Sequence, residues 1–345
     1  MTQLLTATPE AISKAAMLLR GGQIVAFPTE TVYGLGADAL RPEAVLRVFA
    51  AKGRPADNPL IVHVASAADA EPLVARIDAR ARLLMERFWP GPLTLVLPKA
   101  ARVPAEVTAG LDTVAVRLPA HPVALALIRE AAAPVAAPSA NRSGRPSPTA
   151  ASHVYEDMNG RVPLILDGGR CAVGVESTVL DLTEATPVVL RPGGVTPEAL
   201  GELLGEVRVD AAALAPLVVA NAPRSPGMKY KHYAPDAALV IVSGPKEARA
   251  ALARRLCSEA EAAGELAVIL APAERKSAYP ARVFRALGAE GDPREAAAQL
   301  FAALRELDAQ GVQRIIAEAV EAEGIGLAVM NRLCRAAGFH IEMEN

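Results

Sequence analysis

The sequence predicts an α/β protein of two domains, the first on a twisted mixed sheet and the second, smaller, on a parallel sheet. Three observations predict it. A chain of 345 residues is long enough for about two domains. Apolar strand-like runs alternate with helical ones along most of its length, with adjacent strand runs only in the first part. Between the two stretches lies a segment, Val207 to Pro235, that is rich in turn formers, basic and aromatic, and fits neither period.

The first helix opens on Thr8-Pro9-Glu10, an N-cap, a proline at the first helical position and an acid in the first turn, and closes on Gly21-Gly22. Gln23 to Phe27 reads as a buried strand stopped by Pro28, and a polar glycine-bearing loop, Thr29 to Gly36, follows. Pro42 to Ala51 is a helix closed by Lys52-Gly53-Arg54-Pro55. Leu60 to Val64 is a strand, Arg80 to Phe88 a helix, and Leu93 to Leu97 and Thr113 to Leu118 are strands. Pro122 to Ala131 is helical and Val135 to Ala137 a short strand. Ser147-Pro148 is expected to start another helix by the cap-plus-proline device. Strands follow at Leu164 to Leu166, Ser177 to Leu182 and Pro187 to Leu190, then a helix from Thr196-Pro197-Glu198 to near Gly205. After the turn-rich segment the alternation is strict. Strands at Ala238 to Val242, Leu266 to Leu270, Val283 to Leu287 and Arg314 to Ala317 alternate with helices at Pro245 to Ala262, Pro293 to Leu307 and Gly326 to Ala337. That is a Rossmann-like pattern, without the glycine fingerprint that would place a phosphate.

Composition excludes several functions. Hydrophobic residues make up 52% and charged residues 21%, which excludes disorder as the dominant state. Lys and Arg number 36 against 38 Asp and Glu, a net charge of −2. No basic excess supports a general nucleic-acid or membrane-surface binder, so stable nucleic-acid binding is not expected. Cys171, Cys257 and Cys334 are far apart and form no CxxC pair, which suits a reducing compartment and gives no cysteine zinc site. There is no signal-like start and no membrane-length apolar run, so the expectation is a cytoplasmic protein.

Six strand-end loops collect the polar chemistry. Thr29, Glu30, Thr31 and Tyr33 form either a capped turn or a place where a polar ligand meets backbone and hydroxyls together. Lys52 and Arg54 follow a helix end, where the dipole favours cations, yet an ammionium beside a guanidinium fork is also phosphate-binding equipment. Asn58 follows, and His63 lies within an apolar strand, as a structural residue or as a ligand. Arg117 sits in a strong apolar strand, where a cation lies at an edge or pairs an anion. Ser139, Asn141, Arg142, Ser143, Gly144 and Arg145 resemble an anion-binding loop. Glu176-Ser177-Thr178 and Arg191-Pro192-Gly193 complete the set. Together they describe a crevice for a polyanion and a small polar molecule. Neither a nucleophile elbow nor HExxH occurs, so covalent or metal-ligand catalysis has no support, and no protein side chains are expected to bind a metal.

At this point the residues match a known family. Pro28-Thr29-Glu30-Thr31-Val32-Tyr33-Gly34-Leu35-Gly36, Lys52-Gly53-Arg54-Pro55, Trp89-Pro90-Gly91-Pro92-Leu93-Thr94, Pro138-Ser139-Ala140-Asn141, Glu176-Ser177-Thr178 and Leu190-Arg191-Pro192-Gly193 resemble the YrdC-like threonylcarbamoyl-AMP synthases. Ser225 to Tyr230 with His232-Tyr233-Ala234-Pro235 looks like the linker of the long form, and Val329 to Leu333 matches its C-terminal domain more loosely. The resemblance implies a YrdC-like catalytic domain over 1–206, a linker or lid over 207–236 and the Rossmann-like domain over 237–345. It implies a nucleotidyltransferase that condenses L-threonine, bicarbonate and ATP to threonylcarbamoyl-AMP with release of pyrophosphate, for tRNA modification by a downstream threonylcarbamoyl transferase machinery. Its catalytic pair falls on Lys52 and Arg54. Threonine would meet Thr31, His63, Arg117, Ser177 and the backbone of Ala137. ATP would meet Arg54, Asn58, Thr113, Ser139, Asn141, Ser147, Arg191 and Tyr233, with Mg2+ accompanying it. The alternative is a double-stranded RNA-binding module, which such domains have also been associated with. A related hydrogenase-maturation carbamoyltransferase would carry paired-cysteine zinc motifs, absent here.

Overall fold

The computed structural model describes residues 1–213 and 233–344. They divide into two compact units, one of residues 1–143 and 147–213, the other of 144–146 and 233–344. The linker residues 225–232 of the family motif lie outside the described residues.

The first unit runs β1 (Gln3–Thr6), α1 (Pro9–Arg20), β2 (Val25–Phe27), β3 (Gly34–Asp38), α2 (Pro42–Lys52), β4 (Ile61–His63), α3 (Ala79–Phe88), β5 (Leu93–Pro98), α4 (Ala105–Thr108), β6 (Thr113–Arg117), α5 (Pro122–Ala131), β7 (Val135–Ala136), α6 (Ala151–Met158), β8 (Leu164–Asp167), β9 (Thr178–Asp181), β10 (Val188–Arg191), α7 (Pro197–Leu204) and β11 (Arg208–Val209). Its strands join in the order β1-β8-β2-β3-β7-β4-β6-β5-β9-β10-β11. Parallel pairs such as β4 with β6 occur beside antiparallel ones such as β5 with β6, so the sheet is mixed as expected.

Alternation along β2 shows how the layers form. Val25 and Phe27 pack with Ala15, Ala16 and Leu19 of α1 and Leu127 and Ile128 of α5. Ala26 lies in the cluster of Val48 from α2 and Val154 and Met158 from α6. Successive strand residues point to opposite faces, so one three-residue strand anchors helices on both. Local signals set the helix ends. The Thr8 hydroxyl accepts from the Ala11 amide at 3.3 Å and the Thr196 hydroxyl from Ala199 at 3.2 Å.

Two expectations fail. Thr29 to Gly36 is not all loop: Gly34–Asp38 is a strand paired antiparallel with both β2 and β7. Its glycines are required by close approach, since a Cβ on Gly36 would stand 2.7 Å from the Phe27 ring and 2.6 Å from Val135 Cγ1. Ser147-Pro148 does not open a helix either. The helix begins at Ala151, and the Ser147 hydroxyl donates to Glu176 Oε1 at 2.5 Å instead.

The second unit has β12 (Ala238–Ser243), α8 (Lys246–Ala262), β13 (Ala267–Ala271), β14 (Phe284–Ala286), α9 (Pro293–Ala309), β15 (Arg314–Glu318), α10 (Gly326–Ala336) and β16 (Ile341–Met343). The sheet order is β14-β13-β15-β12-β16, and every pair is parallel. Val240, Val242, Ile269 and Ile316 pack against Leu252, Ala253 and Cys257 of α8. At the end of β15 the buried Glu318 carboxylate meets Arg249 at 2.8 Å, Arg275 at 3.1 Å and the Tyr279 hydroxyl. All three cysteines are free and buried. Among the described residues no helix is long and apolar enough to cross a membrane.

Candidate active site

The end of β6 carries the first cluster. Register places Arg117 beside His63 of β4, and His63 beside Val135 of β7, so Arg117 and His63 share a sheet face. Arg117 is 3% exposed. Its Nε donates to the Gly91 carbonyl at 3.2 Å, one terminal nitrogen to Thr31 Oγ1 at 3.0 Å, and the other to Glu30 Oε1 at 2.6 Å. The cation in the strand thus has a carboxylate partner within the chain. A guanidinium has five N–H groups, and three are used here, which leaves two for a ligand.

The loop that delivers Glu30 and Thr31 is locked by its own side chains. Thr29 Oγ1 donates to the Val32 carbonyl at 2.6 Å and accepts from the amides of Thr31 and Val32. Tyr33 is buried with its hydroxyl donating to the Gly169 carbonyl at 2.7 Å. Burial pushes that phenol well above its ordinary range.

His63 packs edge-on against the Phe27 ring, with centroids 6.2 Å apart. Burial and then the Arg117 guanidinium hold its pKa down at about 3. It is therefore neutral at physiological pH. Its Nδ1 is buried with no hydrogen-bond partner among the described residues. A buried polar atom of this kind calls for a partner, which favours the ligand reading of His63 over the structural one.

The second cluster lies in the loop after β7. Lys52 closes α2, and Gly53 follows in the left-handed conformation that ends the helix. The Lys52 ammonium is buried and donates to the Ser139 carbonyl at 2.5 Å and the Asn141 carbonyl at 2.6 Å. Ser139 Oγ donates to Asn141 Oδ1 at 2.5 Å, and the Asn141 amide donates to the Arg142 carbonyl at 2.8 Å. Arg54 is buried with its guanidinium 5.8 Å from the Phe49 ring centroid, and it reaches the Asn58 carbonyl at 3.4 Å. Lys52, Arg54, Asn58, Ser139 and Asn141 are thus close in chain or in hydrogen-bond contact.

Ser177 centres the third cluster. Its hydroxyl lies 2.8 Å from that of Thr94 and accepts from Arg191 at 3.2 Å, while its carbonyl accepts two further Arg191 N–H bonds. Gly193 makes this approach possible: a Cβ there would stand 2.3 Å from the Glu176 carbonyl oxygen and the Thr178 amide. Ser147 joins through its bond to Glu176.

Three expected residues stand apart from these bonds. The Ala137 amide already donates to the Ile61 carbonyl at 2.9 Å, so that N–H is committed within the sheet. Thr113 begins β6, paired with Pro98, four residues and roughly 13 Å of strand from Arg117. Tyr233 is described in the second unit, its ring tilted on Phe301 with centroids 5.2 Å apart and Arg332 over it at 5.5 Å. Sequence reasoning assigned no role to Glu30, Thr94 or Glu176 individually. The signal available was that each lies inside a quoted motif next to a residue that was assigned one.

Buried cations, hydroxyls and an unprotonated imidazole gathered at strand ends of a mixed sheet are the site of an α/β enzyme acting on small polar and anionic substrates. The comparisons agree. A family model described as "Telomere recombination" matches residues 17–193, and one described as "Threonylcarbamoyl-AMP synthase, C-terminal domain" matches 195–338. The threonylcarbamoyl-AMP synthase of Pyrococcus abyssi is 50% identical over 95% of this chain and 94% of its own. That of Bacillus subtilis is 48% identical over 98% and 96%. The crystal structure of P. abyssi Sua5 complexed with L-threonine superposes with a TM-score of 0.93 at 48% identity, covering 100% of this chain and 99% of that one. The chain belongs to the threonylcarbamoyl-AMP synthase family, in its two-domain form.

Proposed function

We propose that this chain condenses L-threonine, bicarbonate and ATP to L-threonylcarbamoyladenylate and releases pyrophosphate, in the cytoplasm, for a downstream transferase that modifies tRNA. The observation that carries this reading is the arrangement at Arg117: a buried guanidinium with two N–H groups uncommitted, beside a neutral His63 whose Nδ1 lacks a partner. That pair suits a small carboxylate with a hydrogen-bonding side chain.

In this reading Arg117 and Thr31 receive the threonine carboxylate, and His63, Ser177 and the Ala137 carbonyl its amino and hydroxyl groups. The threonine amine adds to bicarbonate, a C–N bond forms and water leaves, giving N-carboxythreonine. An oxygen of its new carbamate group then attacks the α-phosphorus, a P–O bond forms, and the bond to pyrophosphate breaks. Lys52 and Arg54 oppose the charge that builds on the phosphate oxygens, in a site fixed before the reaction begins. Asn58, Thr113, Ser139, Asn141, Ser147 and Arg191 hold and orient the nucleotide, and holding three substrates together lowers the barrier.

Among the described residues no group of three or more His, Cys, Asp or Glu could hold a metal ion. Magnesium fits this site as an ion bound mainly by phosphate oxygens. When bound it supplies charge neutralisation on the triphosphate.

The test is pyrophosphate release from ATP with threonine and bicarbonate each present or omitted. Release that needs both is expected. Release indifferent to threonine, or none in the complete mixture, overturns the proposal.

A further inference from the structure

The Glu30–Arg117 pair has an electrostatic consequence. The titratable groups that feel it are His63, His121 and Cys171. Burial and then the Arg117 guanidinium hold His63 at about 3, burial lowers His121, and burial pushes the Cys171 thiol up to about 12. With these three neighbours uncharged at neutral pH, the charged groups in direct contact are one buried guanidinium and one carboxylate 2.6 Å away. A buried guanidinium alone would take any small anion. Paired with Glu30 it presents a positive and a negative end in one rigid unit.

Glu30 is held to keep that geometry. Oε1 receives the Arg117 N–H, Oε2 receives the Ala120 amide at 3.1 Å, and the Glu30 carbonyl accepts from the Val173 amide at 2.8 Å. The side chain is 12% exposed, enough to touch a ligand without being solvated. Each carboxylate oxygen can accept more than one hydrogen bond, so acceptor capacity remains on the negative end.

We propose that Glu30 is a specificity-determining residue: by pairing Arg117 it makes the small-substrate site selective for a zwitterion, an α-ammonium carboxylate, over simple anions and 2-hydroxy acids. This rests on the assignment of Arg117 to the substrate carboxylate made above. Arg117 attracts the carboxylate, and Glu30 both attracts the ammonium and repels a ligand that carries only negative charge. Rejection through an opposed charge is specificity by unfavourable contact as well as by fit.

The experiment is calorimetric binding of L-threonine and of 2,3-dihydroxybutyrate, its analogue with hydroxyl in place of ammonium, to the full chain. The wild type is expected to prefer threonine. In Glu30→Gln the ratio of the two affinities should fall by about ten- to a hundredfold, the scale of one hydrogen bond to a charged group. Glu30→Asp, which keeps the charge, should restore most of it. A Glu30→Gln variant that is folded by circular dichroism and keeps the wild-type ratio overturns the proposal. If Glu30→Gln does not fold, Glu30→Ala is measured in the same way with Arg117 left in place, and a wild-type ratio there overturns the proposal equally. Failure of the wild type to bind threonine at all would instead refute the substrate assignment of Arg117.

Discussion

Replacing Lys52 with methionine tests whether the ammonium braces the Ser139–Asn141 loop as well as serving chemistry. In the folded chain Nζ donates to two backbone carbonyls at 2.5 and 2.6 Å, with Asn141 Oδ1 further off at 3.4 Å. Hydrogen bonds to a charged group contribute roughly 1.5–3 kcal/mol each, so losing the two short ones sets a ceiling of about 3–6 kcal/mol. Methionine keeps most of the buried aliphatic stem, so no large cavity opens. Water entering the loop resolvates part of the freed carbonyls, and the expected loss is about 2–4 kcal/mol. Urea unfolding followed by fluorescence of Trp89, which is buried in the same unit, reads this loss. Pyrophosphate release should fall by at least about a hundredfold, because the variant loses both a positive charge and the loop geometry. An unchanged unfolding midpoint would refute the brace even if activity vanished. Wild-type activity would refute the catalytic role.

Three further outcomes are expected. His63 titrates at about 3 in the folded chain against an ordinary value of 6.5, so between those values the unfolded chain binds the extra proton. Its contribution to stability is therefore complete above 6.5 and lost as pH falls toward 3, at up to about 1.4 kcal/mol per pH unit, and His63→Phe should flatten the acid limb of a stability–pH profile. Gly193→Ala puts a methyl 2.3 Å from backbone atoms of Glu176 and Thr178, and should cost about 1–3 kcal/mol and most pyrophosphate release by displacing Ser177; full activity would contradict the close packing. Glu318→Gln leaves Arg275 and Arg249 without their buried counter-charge and should lower the stability of the second unit by about 3–5 kcal/mol in urea titration, whereas an unshifted midpoint would show the network is dispensable.

Much of this fold is legible because its signals are local. Thr8-Pro9 and Thr196-Pro197 specify helix starts with no help from distant residues. Ser147-Pro148 has the same grammar, yet Glu176, 29 residues on, takes the serine hydroxyl and the helix starts later. Gly34–Asp38 is unreadable as a strand because glycine and aspartate are poor strand formers. It is a strand because β2 and β7 flank it and the Phe27 ring needs the space above Gly36. In the site, Arg117 announced itself as a cation in an apolar strand. Its partner Glu30 is 87 residues away, and only folding reveals which of 38 acids answers it.

The burial of all three thiols has a practical side. The wild-type chain offers an alkylating reagent no exposed thiol, and burial also keeps the Cys171 thiol protonated, pushed up to about 12. A single cysteine introduced on the surface, as in Glu71→Cys, would be the one reactive handle, and a fluorophore or spin label could be attached there while every native residue of the core stays in place.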